Sequence, residues 1–226
     1  MYIRKYKRIV IVVSIAITIL FWIGIRNSSK ARENVTYKIL VDVENSQMFV
    51  FKNDELIKEY KCSGGKASTP SPIGTWTIIS KGKWGEGFGG NWMGFNVPWG
   101  KFGIHGNEDA SSVGWPSSHG CIRMYNKDVA ELYNMIPVGT KVTIVDGVYR
   151  EFGKGFRYLK SGMYGSDVKA IQERLKELGF FFGTANGVYG AATEEAVKAF
   201  CRENKLPVQK TISPELQQKM GFSLID

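Results

Sequence analysis

Thr36-Tyr37-Lys38-Ile39-Leu40-Val41-Asp42-Val43-Glu44-Asn45-Ser46-Gln47-Met48-Phe49-Val50-Phe51-Lys52-Asn53-Asp54-Glu55-Leu56-Ile57-Lys58-Glu59-Tyr60 is the stretch on which the fold turns. Tyr37–Val43, Met48–Phe51 and Leu56–Tyr60 are short runs rich in β-branched, aromatic and aliphatic residues. Turn formers separate them: Glu44-Asn45-Ser46 after the first, Lys52-Asn53-Asp54 after the second. Such runs suit a pleated surface with one face buried. Thr75-Trp76-Thr77-Ile78-Ile79 repeats the pattern further along. Strands at roughly 8–12-residue spacing, with turns between them, predict a sandwich or barrel-like β domain.

Outward from this core the character changes twice. Between residues 80 and 103, Gly82, Gly85, Gly87, Gly89, Gly90, Gly94, Gly100 and Gly103 alternate with Trp84, Phe88, Trp92, Phe95 and Trp99. That mixture forms no stable helix. It suits either a loop whose rings cover a groove or a surface loop that tucks its rings into the core. Asn126 is expected to cap a helix to about Met135, stopped by Pro137-Val138-Gly139, and Lys141–Val145 is a closing strand. After a linker at 147–157 the apolar period becomes helical. Ser166 is expected to cap a helix carrying Val168, Ile171, Leu175 and Leu178, stopped by Gly179. Thr193 is expected to cap a second, with Ala196, Val197 and Phe200 inward, and Ser213 with Pro214 opens a third. Residues 158–222 thus read as a compact three-helix domain separate from the β domain at 36–146.

Toward the N-terminus, an apolar run from Ile9 to Ile25 is flanked by basic residues. As a helix it would span about 26 Å, near the lower limit for crossing a bilayer. A cleaved signal peptide has a shorter apolar core followed by a small-residue site, and Trp22-Ile23-Gly24-Ile25-Arg26 offers none. Residues 9–25 are therefore read as a transmembrane anchor. Residues 1–8 form a cytoplasmic basic tail and 26–35 a tether, with both folded domains outside a cell membrane crossed once. The net charge of +9 also has its origin here: seven of the 30 basic residues but only one of the 21 acidic ones precede Asn34. The remainder is nearly balanced, so nucleic acid is not an expected partner.

The chain has two histidines and three cysteines, and the chemistry gathers around one of the latter. Gly103-Ile104-His105-Gly106 precedes Ser117-Ser118-His119-Gly120-Cys121-Ile122-Arg123-Met124, so both histidines lie before Cys121. A cysteine nucleophile needs a base, because a free thiol has a pKa of about 8.5. It also needs donors for the oxyanion of a tetrahedral intermediate, which backbone N–H groups beside a glycine can supply. Gly120 and Cys121 meet the second need, and either histidine could meet the first. His119 is tied to the local geometry of Cys121, whereas His105 comes from a separate segment and can approach the sulfur freely. His105 is therefore assigned as proton donor and acceptor, and His119 as a supporting residue that orients the loop or stabilises charge. Arg123 could bind a substrate carboxylate, or be a solvated surface charge. Trp92 and Ser118 are further candidates for substrate contact. A zinc site of His105, His119 and Cys121 would need Asp109 or Glu108 as a fourth ligand and lacks paired ligand spacings, so neither metal nor cofactor is expected. Cys62 and Cys201 read as small buried residues.

Residues 36–146 resemble the catalytic domain of the L,D-transpeptidases of the YkuD family. The likeness rests on Ile104-His105-Gly106 and Ser118-His119-Gly120-Cys121-Ile122-Arg123 at the family's spacing. Ser63-Gly64-Gly65-Lys66, Thr69-Pro70-Ser71-Pro72-Ile73-Gly74, Asn126 and Gly139-Thr140 extend it. The resemblance implies a mainly β, sandwich-like catalytic domain and a thioester acyl-enzyme on Cys121. It also implies His105 as proton carrier, Gly106 as an orienting residue and a backbone oxyanion donor at Gly120. Residues 158–222 are similar to a peptidoglycan-binding domain of the three-helix type, through Gly165-Ser166-Asp167-Val168, Ile171-Gln172, Leu178-Gly179-Phe180, Asn186-Gly187-Val188-Tyr189-Gly190 and Thr193. Asn186 and Cys201 stand where that family often has aspartate and glutamine. The implied substrates are peptidoglycan stem peptides within the sacculus, cross-linked between third-position residues. With water or a protein amine as acceptor, the same acyl-enzyme gives an L,D-carboxypeptidase or a protein-anchoring transferase. A silent wall-binding protein is the alternative from another class.

Overall fold

The computed structural model describes residues 35–147, 152–153 and 155–223. The expected tail, anchor and most of the tether therefore lie outside the described residues, as does part of the linker at 147–157. Among the described residues no helix is long and apolar enough to cross a membrane.

The strands are β1 (Tyr37–Asp42), β2 (Gln47–Lys52), β3 (Glu55–Ser63), β4 (Gly74–Gly82), β5 (Trp92–Phe95), β6 (Gly103–Gly106), β7 (Ile122–Met124) and β8 (Lys141–Val145). Helix α1 (Asn126–Met135) lies between β7 and β8. The strands close in the order β1-β2-β3-β7-β6-β5-β4-β8. The sequence leaves sandwich or barrel open, and closure comes from the two nine-residue strands. Along β3, Glu55 to Lys61 pair with β2, while Cys62 and Ser63 pair with β7. Along β4, Gly74–Thr77 pair with β8, and Ile78 onward pairs with β5 across a register shift between Ile78 and Ser80. Strands that change partners at an irregularity turn the corners of a barrel and leave no open edge.

Alternation along the strands fills the interior. Val41, Met48, Val50, Cys62, Ile78, Met93, Ile104, Ile122, Met124, Val142 and Ile144 are buried there, and α1 adds Val129 and Leu132. Each such side chain contributes about 1.5–3 kcal/mol by leaving water.

The second core belongs to α2 (Ser166–Glu177), α3 (Ala191–Glu203) and α4 (Pro214–Lys219), the expected three helices. Leu159, Val168, Ile171, Leu175, Val197, Phe200 and Leu216 meet in it. Ser213 caps α4 as expected, accepting from Leu216 N at 3.2 Å. The other three expected caps are corrected by one residue or more. Asn126 and Ser166 are already helical, with Tyr125 and Gly165 at the cap positions. Thr193 lies within α3, which is capped at Gly190, and its hydroxyl accepts from Gln172 Nε2 at 2.9 Å. A buried tertiary partner outweighs the local preference of threonine for a helix start. Cys62 and Cys201 are free and buried, as expected.

Candidate active site

Strands β6 and β7 run side by side in parallel, with Ile104 opposite Ile122 and His105 opposite Arg123. Ile104 and Ile122 are fully buried and define the core face. Alternation then turns His105 and Arg123 to the other face together, and Cys121 directly precedes β7. His105 and Arg123, drawn from separate segments, become neighbours because two short strands pair in this register.

Aromatic rings cover this second face. Trp92 on β5 pairs across the sheet with His105, their rings 5.9 Å apart and inclined by 30°. Trp84 stacks on Trp92 at 4.5 Å, and Phe88 meets both His105 (5.0 Å) and Trp84 (5.2 Å) edge-on. Both sequence readings of the Gly-aromatic segment hold in part. Trp92 and Phe95 are tucked in, while Trp84 and Phe88 stay partly exposed over the histidine. Trp92, a candidate for substrate contact, is buried between the rings of Trp84 and His105.

His105 is only 5% exposed, and its Nδ1 lies 2.5 Å from Gly106 O. A carbonyl can only accept, so Nδ1 carries the proton and Nε2 keeps its lone pair. Burial, above all, holds the His105 pKa below the ordinary range; the bond to Gly106 opposes this and the Arg123 charge adds to it. Cys121 is half-buried, with Sγ 3.9 Å from Lys101 O. Burial pushes its thiol up, against the Gly103 backbone hydrogen bond and the positive charge of Arg123. Both partners therefore rest uncharged, and a thiolate forms only as a base removes the proton.

The turn leading into Cys121 is held by Ser118. Its hydroxyl donates to Cys121 O (2.6 Å) and accepts from Gly120 N (2.9 Å). Its backbone is tied on both sides: Ser118 N donates to Gly64 O, and Ser118 O accepts from Lys66 N and Thr69 Oγ1, each at 3.1 Å. Gly120 adopts φ +106°, and a Cβ there would lie 2.6 Å from Phe102 Cε1. No other residue fits that backbone without strain.

Three sequence expectations change here. Ser118 is fully buried and fastens the turn, so it is not a surface for substrate. The Gly120 N–H is engaged by Ser118, so it is not free to serve an oxyanion. His119 is exposed and has no hydrogen bond or ring contact among the described residues, so the loop-orienting role passes to Ser118. Arg123 is no solvated surface charge: it is partly buried, its Nη1 lies 3.5 Å from Ser117 O, and its buried Nε has no partner. Lys101 and Phe102 escaped the sequence reading, because their place depends on how a loop closes. Among the described residues no three His, Cys, Asp or Glu side chains converge as a metal site.

A closed β domain with histidine on β6 and cysteine directly before β7, followed by a three-helix module, defines a two-module class. Residues 36–144 match the L,D-transpeptidase catalytic domain, and residues 164–220 match a peptidoglycan binding domain. The protein named YkuD of Bacillus licheniformis is 36% identical over 122 residues, which is 54% of this chain and 70% of that one. Its namesake in Bacillus subtilis is 37% identical over 111 residues, 49% and 66% of the two chains. A solved L,D-transpeptidase of Enterococcus faecium is 27% identical with a TM-score of 0.44, covering 49% of this chain and 50% of that one. The chain thus spans about half the length of that structure. The chain belongs to the YkuD family of L,D-transpeptidases.

Proposed function

We propose that this protein is a membrane-anchored transpeptidase that forms cross-links between third-position residues of peptidoglycan stems through a thioester on Cys121. The observation that carries the reading is His105 on β6, its Nδ1 bonded to Gly106 O, beside the paired strand β7 that Cys121 directly precedes. Family membership and the names of the relatives support it.

The steps follow from these residues. His105 Nε2 takes the thiol proton while Sγ attacks the carbonyl of an L-centre in the stem, giving a tetrahedral oxyanion. In this reading the backbone N–H of Cys121 serves as donor to that oxyanion. The C–N bond then breaks, and the terminal D-residue leaves as an amine that receives the proton from His105. An amine of a second stem attacks the thioester and gives its proton to His105; the C–S bond breaks as the new amide forms, and His105 returns that proton to Sγ, which regenerates the thiol. Arg123, whose Nε has no protein partner, serves in this reading to hold a substrate carboxylate. Ile9–Ile25 anchors the chain in the cell membrane, with both modules on the extracytoplasmic side.

Incubation with a carbapenem, followed by mass spectrometry of the intact protein, tests the reading. The expected result is one adduct that disappears in a folded Cys121→Ala variant, which also forms no cross-linked dimer from defined tetrapeptide stems. An adduct on the Ala variant removes Cys121 from the role. Release of a free tripeptide stem with no dimer shows water as the acceptor and replaces the transpeptidase reading with a carboxypeptidase.

A further inference from the structure

The segment Asn96–Phe102 touches Cys121 on one side and the helical module on the other. Toward the nucleophile, Lys101 O lies 3.9 Å from Sγ, and Phe102 packs so closely on Gly120 that a Cβ there would come within 2.6 Å of it. Toward the module, the six-membered ring of Trp99 rests on the backbone of Gly187. A Cβ built on Gly187 would lie 2.3 Å from Trp99 Cε3 and 2.6 Å from Cζ3. Both sides of this contact are firmly held. Trp99 packs edge-on against Trp76 at 5.2 Å and 82°, and the indole N–H of Trp76 donates to Pro72 O. Gly187 donates its N–H to the buried Gln172 Oε1 (2.8 Å) and accepts from Gly165 N (2.9 Å).

We infer that Gly187 of the helical module is a seat for Trp99, and that this seating holds the loop that lines Cys121. The module therefore sets the reactivity of the nucleophile as well as retaining the wall. The physical basis is a contact that only a bare backbone permits. Closely packed faces shift between discrete arrangements rather than yield gradually, so any side chain at Gly187 must displace the indole. Displacing Trp99 loosens the three residues that follow it toward Gly103, namely Gly100, Lys101 and Phe102. The consequence for acylation rests on the transpeptidase reading, but the coupling itself does not.

The test therefore reads the thiol directly. In the full chain, held in detergent, Cys121 is alkylated with iodoacetamide and the modified residue is located by mass spectrometry. Cys62 and Cys201 are fully buried and serve as internal references for an intact fold. Gly187→Asn introduces a Cβ from the module side, with a residue that tolerates the positive φ of +70° at this position. Trp99→Leu removes the ring from the other side. Each is expected to speed Cys121 alkylation by about 3- to 30-fold and to raise hydrogen exchange across residues 96–102, with the double variant no faster than either alone. Alkylation at the parental rate in both single variants overturns the inference, as does a double variant in which the two effects multiply. A parent that alkylates in this coupled manner yet takes no carbapenem would sink the transpeptidase reading and leave this one standing.

Discussion

The two histidines differ in what surrounds them, and that difference fixes what each substitution should do. His105 is buried, ring-covered and bonded at Nδ1, while His119 is exposed and unpartnered among the described residues. A positioned base contributes about 10²–10⁴-fold, so His105→Ala should lower the acylation rate by that order near neutral pH. The deficit should shrink as pH rises, because solvent then generates the thiolate. Since burial raises the Cys121 thiol, that recovery belongs above the range of an ordinary cysteine. His119→Ala should lose little, with any deficit independent of pH. Acylation rates of both variants against pH decide the matter. Recovery at high pH by His119→Ala, and none by His105→Ala, would reverse the two assignments.

At the scale of the element, the Gly-aromatic segment matters through the environment it gives β6. Phe88 and Trp84 shut water from one side of His105, and burial is the largest cause of its lowered pKa. Phe88→Ala should therefore return the His105 pKa toward its ordinary value, an upward move. A protonated His105 cannot accept the thiol proton, so the acid limb of the acylation profile should shift to higher pH. A proton-NMR titration of the ring, alongside the profile, would show both movements. An unmoved titration would mean that Trp92 alone dries the ring. The same strand pair explains why β7, only three residues long, can hold the segment around Cys121 in place. β3 binds it on one side and β6 on the other, while Ser118 closes the turn before it.

The whole molecule joins two cores, and each carries its own expectation. A chain ending at residue 157 should lose most of its binding to insoluble wall sacculi in a pelleting assay, because the helical core is removed. Equal pelleting with and without residues 158–226 would leave the second module without its proposed task. The contact between Trp99 and Gly187 adds that this truncation should also quicken alkylation of Cys121. For the anchor, full-length protein should stay with membranes through carbonate extraction, while a chain beginning at Asn34 should be soluble. A mature N-terminus found beyond Ile25 would identify the segment as a cleaved signal instead.

Much of this was legible in one dimension. The β runs from Tyr37 to Tyr60, the strands at Thr75–Ile79 and Lys141–Val145, and the three C-terminal helices announced themselves, because alternation and helical period are local properties of the chain. The sequence also singled out His105 and Cys121 as candidates, since a thiol nucleophile requires a base whatever the fold. Strands β5, β6 and β7 were not legible as strands. They have three or four residues, two of them contain glycine, and such lengths show no period; their partners alone make them strands. Nor could residue type tell which N–H remains free or which serine is buried: Ser118 took the Gly120 N–H, and with it the role given to His119. Closure of the ring, the drying of His105 and the seating of Trp99 on Gly187 all join residues distant along the chain. Such contacts depend on register and packing, which only the assembled tertiary structure decides.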